Sequence, residues 1–214
     1  MHIIQPHYEI IGDINGVQML KNIEAIARTS YKSMDKITED SWKRFIPNLL
    51  QRKHWGLFEH AIVSVKIICD RGVANELVRH RVASYCQEST RYCNYSQERF
   101  DNCIKVIEPE GIKTNPEASQ IWQTAIDVAE RAYIYLTQSG IAPELARSIL
   151  PLGLATEIVV TMNLREWHHF FELRACGTTG KPHPQMLELT VPMLEEFKSK
   201  IPYVFDDLMP AYRS

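Results

Sequence analysis

Strand-like and helix-like segments are interspersed along this 214-residue chain without the regular strand–helix–strand repeat of a parallel α/β sheet. The clearest helix is predicted from Asn115 to Gly140, because Asn115 can cap its start and Gly140 can end it. Residues 58–69 are rich in β-branched side chains and predict a strand, and 154–162 is strand-like as well. The sequence therefore predicts an α+β fold, and a chain of this length is most simply one domain over residues 1–214.

The middle of the chain gives weaker structural signals. A short helix is predicted over residues 72–80. Residues 84–102 lack clear periodicity and predict an ordered loop.

The run from Arg79 to Tyr92 places three arginines, a histidine, two serines, a glutamine and two tyrosines in fourteen positions. A guanidinium presents a planar set of donors that suits phosphate, and its charge is fixed at any working pH. The run therefore predicts an anion site for nucleotides. The alternative is that its arginines form salt bridges with acids such as Glu59, Glu76 or Glu88.

The chain contains neither a G-x-G-x-x-G fingerprint nor a G-x-x-x-x-G-K-[ST] loop. Side-chain cations must therefore bind any phosphate. Besides the central run, we expect Arg147, Arg165 and Arg174 to contribute, since each lies within or beside an apolar segment.

Charge and cysteine content restrict the class of protein. A formal net charge of −2 gives no global attraction to nucleic acid or to an acidic membrane surface. Five cysteines without a CxxC pair or a secretory leader favour reduced thiols in a cytoplasm. No apolar run is long enough to cross a bilayer. We therefore expect a cytoplasmic protein that binds neither nucleic acid nor membrane.

The histidine, cysteine and tryptophan residues of the chain suggest other chemistry. The histidines form no H-E-x-x-H motif and no zinc-finger spacing, so no metal site is expected. Cys86 lies among arginines that could lower the pKa of its thiol, although small buried thiols without a catalytic role are common. Trp55 could stack on a cofactor ring or simply pack in the protein.

The pattern Arg79-His80-Arg81, seven residues, Ser89 and then Arg91-Tyr92 resembles the signature of the flavin-dependent thymidylate synthases. The resemblance extends over residues 54–60, 144–152 and 163–175. It implies an α+β homotetramer with a mixed or antiparallel sheet packed by helices and active sites between subunits. It further implies that FAD is the cofactor, methylenetetrahydrofolate the one-carbon donor, NADPH the reductant, and dUMP the substrate converted to dTMP.

The resemblance also implies roles for individual residues. The expected dUMP-binding residues are Glu76, Arg79, Gln87, Glu88, Ser89, Thr90, Arg91, Arg147 and Arg174. The expected FAD-binding residues are Gly56, Arg79, His80, Arg81, Gln87, Asn163, Arg165 and His169. Arg174 and Ser89 are the expected catalytic residues, Arg174 because a cation beside the uracil ring favours ionisation at N3.

The chain departs from the family pattern at three places. Cys86 and Gln87 stand where many members carry Asn-Glu, His169 replaces an amide, and the loop over 176–183 is longer than in compact members. One alternative is a related enzyme that releases a hydroxymethyl product or acts on another pyrimidine nucleotide. The other is a nucleic-acid-binding module that uses residues 79–91 to hold phosphates.

Overall fold

The structure is a computed structural model that describes residues 1–210 of the chain. Its α-helices are α1 (Gly16–Thr29), α2 (Trp42–Gln51), α3 (Arg71–Leu77), α4 (Glu110–Lys113), α5 (Pro116–Gln138), α6 (Pro143–Ala146), α7 (Leu164–Arg174) and α8 (Pro184–Lys200). Its strands are β1 (His2–Ile3), β2 (His7–Ile11), β3 (Ile62–Asp70), β4 (Ala83–Gln87), β5 (Lys105–Val106) and β6 (Ala155–Asn163). Short 3₁₀ segments cover Met34–Lys36, Trp55–His60, Glu98–Phe100 and Arg147–Ile149.

Helix α5 forms where its sequence signals predict it. The Asn115 side chain accepts a hydrogen bond from the backbone N–H of Ala118 at 3.2 Å, and Pro116 occupies the first turn. The helix ends at Gln138, and Gly140 adopts a φ of +89°, which favours glycine. The prediction of this helix is confirmed.

Within residues 1–210, strands β2, β3, β6 and β4 form a sheet in that order, and β1 pairs with β5 in a separate parallel ladder. In the parallel ladder, His2 lies opposite Lys105 and Ile3 opposite Val106. The prediction of an α+β fold is confirmed, because helices and paired strands are mixed along the chain.

The prediction is wrong at three places: the start of one strand, the end of helix α3, which stops at Leu77, and a strand that was missed. The strand predicted over 58–69 begins only at Ile62, after a 3₁₀ segment. The helix predicted over 72–80 is α3, which Asp70 caps by accepting from the N–H of Val73 at 2.7 Å. The loop predicted over 84–102 contains β4. Within the described sheet β4 is an edge strand and its residues alternate only between half-buried and exposed, so it lacks the apolar alternation that would reveal it.

The described chain divides into two compact units. The first unit comprises Met1–Tyr8, Lys66–Arg79 and Tyr85–Val159. The second comprises Glu9–Val65, His80–Ser84 and the described part of Val160–Ser214. The expectation of one domain over 1–214 stays a prediction, and its last four positions, 211–214, lie outside the described residues.

Each unit has its own core. The core of the first unit contains Tyr95, Ile104, Val106, Ile126, Tyr133, Ala146 and Leu154. The core of the second unit contains a cluster of aromatic rings whose neighbouring centroids lie 5.1–5.7 Å apart. The rings belong to Trp167, Phe170, Phe171, Phe197 and Phe205. Among the helices of residues 1–210, none combines the length and the hydrophobicity of a transmembrane helix.

Candidate functional site

The predicted site residues fall into two groups, one in each unit. The first unit contains Glu76, Arg79, Gln87, Glu88, Ser89, Thr90, Arg91 and Arg147. The second unit contains Gly56, His80, Arg81, Asn163, Arg165, His169 and Arg174. Thus every residue expected to bind dUMP except Arg174 lies in the first unit.

In the first unit, a turn after β4 presents Ser89, Thr90 and Arg91. The backbone N–H groups of Tyr92 and Cys93 donate to the carbonyl of Ser89 at 3.1 and 2.9 Å, which closes the turn. The Ser89 hydroxyl accepts from the N–H of Arg91 at 3.3 Å. This turn, named here the 89–91 turn, therefore holds the Ser89 hydroxyl against the backbone of Arg91.

Two further side chains extend this group. Arg147 Nη1 donates to the hydroxyl of buried Thr90 at 3.4 Å, so Arg147 joins the 89–91 turn from a distant part of the sequence. Arg91 Nε donates to Glu144 Oε2 at 2.8 Å, and both side chains are about half exposed. The structure therefore brings Arg147 to the 89–91 turn.

Glu88 anchors the 89–91 turn to the body of the first unit. Its carboxylate accepts from the buried Tyr95 hydroxyl at 2.7 Å, its N–H donates to the Glu157 carbonyl at 2.8 Å, and its carbonyl accepts from Arg71 Nη2 at 3.2 Å. Burial, and then the Glu88 carboxylate, raise the pKa of Tyr95, which keeps its hydroxyl a donor. The sequence reasoning missed Arg71 and Tyr95, because their role depends on contacts rather than on a motif.

The other members of the first group have separate positions. Gln87 ends β4 and its amide donates to the Thr156 hydroxyl at 3.3 Å. Glu76 lies in α3, and the N–H of exposed Arg79 donates to the Glu76 carbonyl at 3.2 Å. The roles expected for these three residues stay predictions.

In the second unit, a cavity of about 660 Å³ holds several of the residues expected to bind FAD. Its lining comprises Leu50, Lys53, Trp55, Glu59, Val82, Asn163, Arg165, Glu166, His168, His169, Glu172 and Asp207. Asn163, Arg165 and His169 are therefore brought together as predicted, with the Trp55 indole in the same wall. The exposed residues Gly56 and Arg81 are not among the lining residues.

Helix α7 explains the positions of these cavity residues. The Asn163 side chain caps α7 by accepting from the N–H of Glu166 at 2.9 Å. Arg165 Nη1 donates to Glu59 Oε1 at 2.6 Å, with both side chains about half exposed. His169 Nδ1 lies 3.4 Å from Glu172 Oε2. The salt-bridge alternative paired Glu59 with an arginine of the central run, whereas the structure pairs Glu59 with Arg165.

His80 and Arg174 lie side by side in the second unit. Arg174 Nε donates to His80 Nε2 at 3.1 Å, and the other ring nitrogen, Nδ1, lies 3.6 Å from Glu166 Oε1. Burial, and then Arg174 and His169, lower the pKa of His80 to about 4, so its ring is neutral at pH 7. No sequence signal distinguishes Glu166, because an acidic side chain is common in the first turn of a helix.

The structure also gives the surroundings of the thiols and of the residue types that bind metals. Burial raises the pKa of the thiols of Cys69, Cys93, Cys103 and Cys176, which makes them weak nucleophiles. Cys86 is exposed. Within residues 1–210, no group of three or more His, Cys, Asp or Glu side chains could hold a metal ion.

Fold and sites together define an α+β protein that has clustered arginines and no glycine-rich phosphate-loop motif in its sequence. The model of the family described as thymidylate synthase complementing protein matches residues 16–203. The chain therefore belongs to the family of the flavin-dependent thymidylate synthases, and the prediction made from the Arg79–Tyr92 pattern is confirmed.

Curated relatives agree with this assignment. A flavin-dependent thymidylate synthase of Pyrococcus abyssi is 38% identical over 172 residues, which cover 80% of this chain and 68% of that protein. Another from Geobacter sulfurreducens is 31% identical over 191 residues, which cover 86% of this chain and 79% of that protein.

A solved structure shares the fold. The UMP/dUMP methylase PolB from Streptomyces cacaoi, bound with 5-Br dUMP, has a TM-score of 0.80 at 20% sequence identity and covers 96% of both chains. The same protein bound with 5-Br UMP has a TM-score of 0.76 at 19% identity, covering 96% of this chain and 94% of that one.

Proposed function

We propose that the protein methylates dUMP to dTMP, with FAD as cofactor, methylenetetrahydrofolate as one-carbon donor and NADPH as reductant. Family membership supports this reaction. The structural observation that carries it is the meeting of Arg147 with Thr90, beside Ser89 and Arg91. Two guanidinium groups and two hydroxyls in one place suit a nucleotide monophosphate.

In this proposal Arg91 and Arg147 bind the phosphate of dUMP. Arg91 must then release Glu144, with which it forms a half-exposed ion pair. Such surface pairs contribute about 0–1 kcal/mol, so a phosphate dianion can replace the carboxylate at little cost. Tyr95 and Arg71 hold Glu88, and through it the 89–91 turn, in place while this exchange occurs.

Arg174 lies beside the uracil ring in this proposal and stabilises the anion formed by ionisation at N3. A planar guanidinium must be oriented to serve a planar ring. His80 supplies that orientation, because its Nε2 accepts from Arg174 Nε at 3.1 Å. Ser89 acts as the second catalytic residue from the 89–91 turn.

The cavity of the second unit fits a flavin nucleotide by its size and chemistry. Its volume of about 660 Å³ lies within the range of roughly 300–1,000 Å³ typical of small-molecule sites. The guanidinium of Arg165 suits a pyrophosphate, and the Asn163 and His169 side chains offer polar contacts. Its ion pair with Glu59 is half-exposed and therefore weak, so a phosphate can replace Glu59 as the partner of Arg165, as proposed for Arg91. When bound, FAD supplies the redox chemistry of the reaction.

The remaining FAD contacts are assigned in the proposal to Gly56, Arg79, His80, Arg81 and Gln87. A Cβ at Gly56 would meet no atom within 4 Å, so the backbone there is open to a ligand. The side chains of Arg79 and Arg81 are exposed to solvent, so a ligand or a neighbouring subunit can reach their charges. This exposure suits the proposed homotetramer with active sites between subunits. The proposed cytoplasmic location rests instead on the five cysteines without a CxxC pair.

A visible absorbance spectrum of the purified protein and a product assay test the function. The protein, supplied with FAD, dUMP, methylenetetrahydrofolate and NADPH, is expected to show flavin absorbance and to add the mass of a methyl group to dUMP. A hydroxymethyl product would overturn the proposed reaction. A colourless protein that does not bind FAD, and that binds RNA with an affinity that falls as salt rises, would overturn the enzyme assignment.

A second test concerns Arg174. We expect Arg174→Ala to abolish turnover and to leave the fold and FAD binding largely intact. Turnover at the wild-type rate in this variant would remove the catalytic role assigned to Arg174.

A further inference from the structure

His80 is held between two charged groups of α7 in the second unit. Its side chain is only 4% exposed, and its ring packs edge-on against Phe170 at a centroid distance of 5.0 Å. On one side Arg174 Nε donates to Nε2, and on the other Glu166 Oε1 lies 3.6 Å from Nδ1. The two ring nitrogens therefore face groups of opposite charge.

This geometry fixes where the proton of the neutral imidazole resides. The Nε of an arginine always carries a hydrogen, so His80 Nε2 must accept and cannot itself be protonated. The single proton of the neutral ring is then on Nδ1, the nitrogen that faces Glu166. In the opposite tautomer, the Nε2–H of His80 would point at the Nε–H of Arg174, and the hydrogen bond between them would be lost.

The position of Glu166 requires an explanation, because its side chain is 12% exposed. A buried carboxylate is costly unless a partner compensates for the lost hydration. The backbone N–H of Glu166 is already used by the Asn163 cap, which would form with any residue at this position. The carboxylate is thus not needed for this cap. Its charged neighbours are Arg165 and His169, and it lies 3.6 Å from the His80 ring.

We propose that Glu166 is a positioning residue for the reaction. Its carboxylate stabilises the Nδ1–H tautomer of His80, and His80 Nε2 in turn orients the Arg174 guanidinium toward the substrate. The distance of 3.6 Å exceeds that of a direct hydrogen bond, so the effect of Glu166 is electrostatic. This inference rests on the proposed function, which assigns Arg174 to the uracil ring.

The main experiment compares Glu166→Met, which removes the carboxylate at similar volume, with Glu166→Gln, which keeps an oxygen acceptor. We expect Glu166→Met to lower kcat by about ten- to a hundredfold, the range seen when the support of a functional ligand is lost in metal sites. Because its amide keeps an oxygen dipole but no charge, Glu166→Gln is expected to have a kcat between those of the wild type and Glu166→Met. Glu195→Met serves as a control, since Glu195 is an exposed α8 residue paired with Lys198.

Glu166 also lines the cavity assigned to FAD, so a direct effect on FAD must be distinguished from positioning. We expect the dissociation constant of FAD and the KM for NADPH to be unchanged in Glu166→Met. The effect of Glu166→Met is also expected to disappear in a His80→Leu background, where the link to Arg174 is absent. A weakened affinity for FAD with unchanged kcat at saturating FAD would overturn the proposal, as would an equal loss of kcat in both backgrounds.

Nitrogen-15 spectra of histidine-labelled protein at pH 7 provide a readout that needs no turnover. The His80 signals are assigned by their absence in His80→Gln. A neutral Nδ1–H tautomer in the wild type, lost or mixed in Glu166→Met, is the expected result. An Nε2–H tautomer in the wild type, or no change in the variant, would overturn the inference. A wild type without dTMP formation would instead overturn the proposed function, and the spectra would still decide the role of Glu166.

Discussion

The buried imidazole of His80 predicts a pH-dependent loss of stability. Burial, Arg174 and His169 lower the pKa of His80 from its ordinary value of 6.5 to about 4, and Glu166 faces its other nitrogen. Between these two values the unfolded chain binds a proton at His80 that the folded chain does not bind. The free energy of unfolding must therefore fall as the pH drops through this window.

The size of the effect follows from the two pKa values. One unit of pKa difference corresponds to about 1.4 kcal/mol, so complete protonation of both states would cost about 3 kcal/mol. Between pH 7 and pH 5 the unfolded chain becomes almost fully protonated at this site and the folded chain hardly at all. We expect His80 alone to lower the free energy of unfolding by about 2 kcal/mol over this interval.

Urea denaturation of the wild type and of His80→Gln at pH 7, 6 and 5 measures the effect. The glutamine does not titrate, and its carbonyl can still accept from Arg174. The wild type is expected to lose about 2 kcal/mol more than the variant between pH 7 and pH 5. Equal losses in both proteins, or a His80 pKa near 6.5 by nuclear magnetic resonance, would refute the argument that burial keeps the ring neutral.

Three further substitutions have defined outcomes. Gly16→Ala places a Cβ 2.0 Å from a main-chain carbonyl oxygen at the end of α8, so we expect a loss of about 1–3 kcal/mol in thermal unfolding, and an unchanged Tm would contradict the contact. Tyr95→Phe removes the donor to Glu88 and is expected to cost about 1–3 kcal/mol by urea denaturation, whereas a neutral result would show that water replaces the hydroxyl. Glu144→Gln removes the acidic partner of Arg91 and is expected to tighten dUMP binding by up to about fivefold in calorimetry; weaker binding would mean that the carboxylate orients the arginine.

Local signals were sufficient for some elements and insufficient for others. Helix α5 could be predicted because a capping asparagine, a first-turn proline and a terminal glycine act within a few residues of its ends. Strand β4 could not, because within the described residues it pairs with β6, a strand far along the chain, and has little apolar alternation of its own. Strand pairing is a non-local property, so the sequence around Tyr85 carried no sign of it.

The candidate sites show the same division. The residue types of the 89–91 turn were evident in the sequence, and the family resemblance named Arg147 and Arg174. The partners that hold them were not evident, because the bond from Arg174 to His80 spans 94 positions and that from Arg147 to Thr90 spans 57. The salt-bridge alternative named acids near the central run, whereas Arg91 pairs with a glutamate 53 positions away.

The arginines of this chain differ in how firmly the protein holds them. Arg91 and Arg165 form half-exposed ion pairs with Glu144 and Glu59, and such pairs are weak enough for a phosphate to displace the carboxylate. Arg174 instead donates to a buried imidazole, a contact that solvent screens much less. Guanidinium groups that bind phosphate can exchange partners as ligands enter and leave, whereas one that must meet a particular ring atom needs a fixed orientation. A chain without glycine-rich phosphate loops can therefore use arginine both for exchangeable phosphate binding and for fixed orientation at a ring. What distinguishes the two uses is whether the partner of the arginine is exposed or buried.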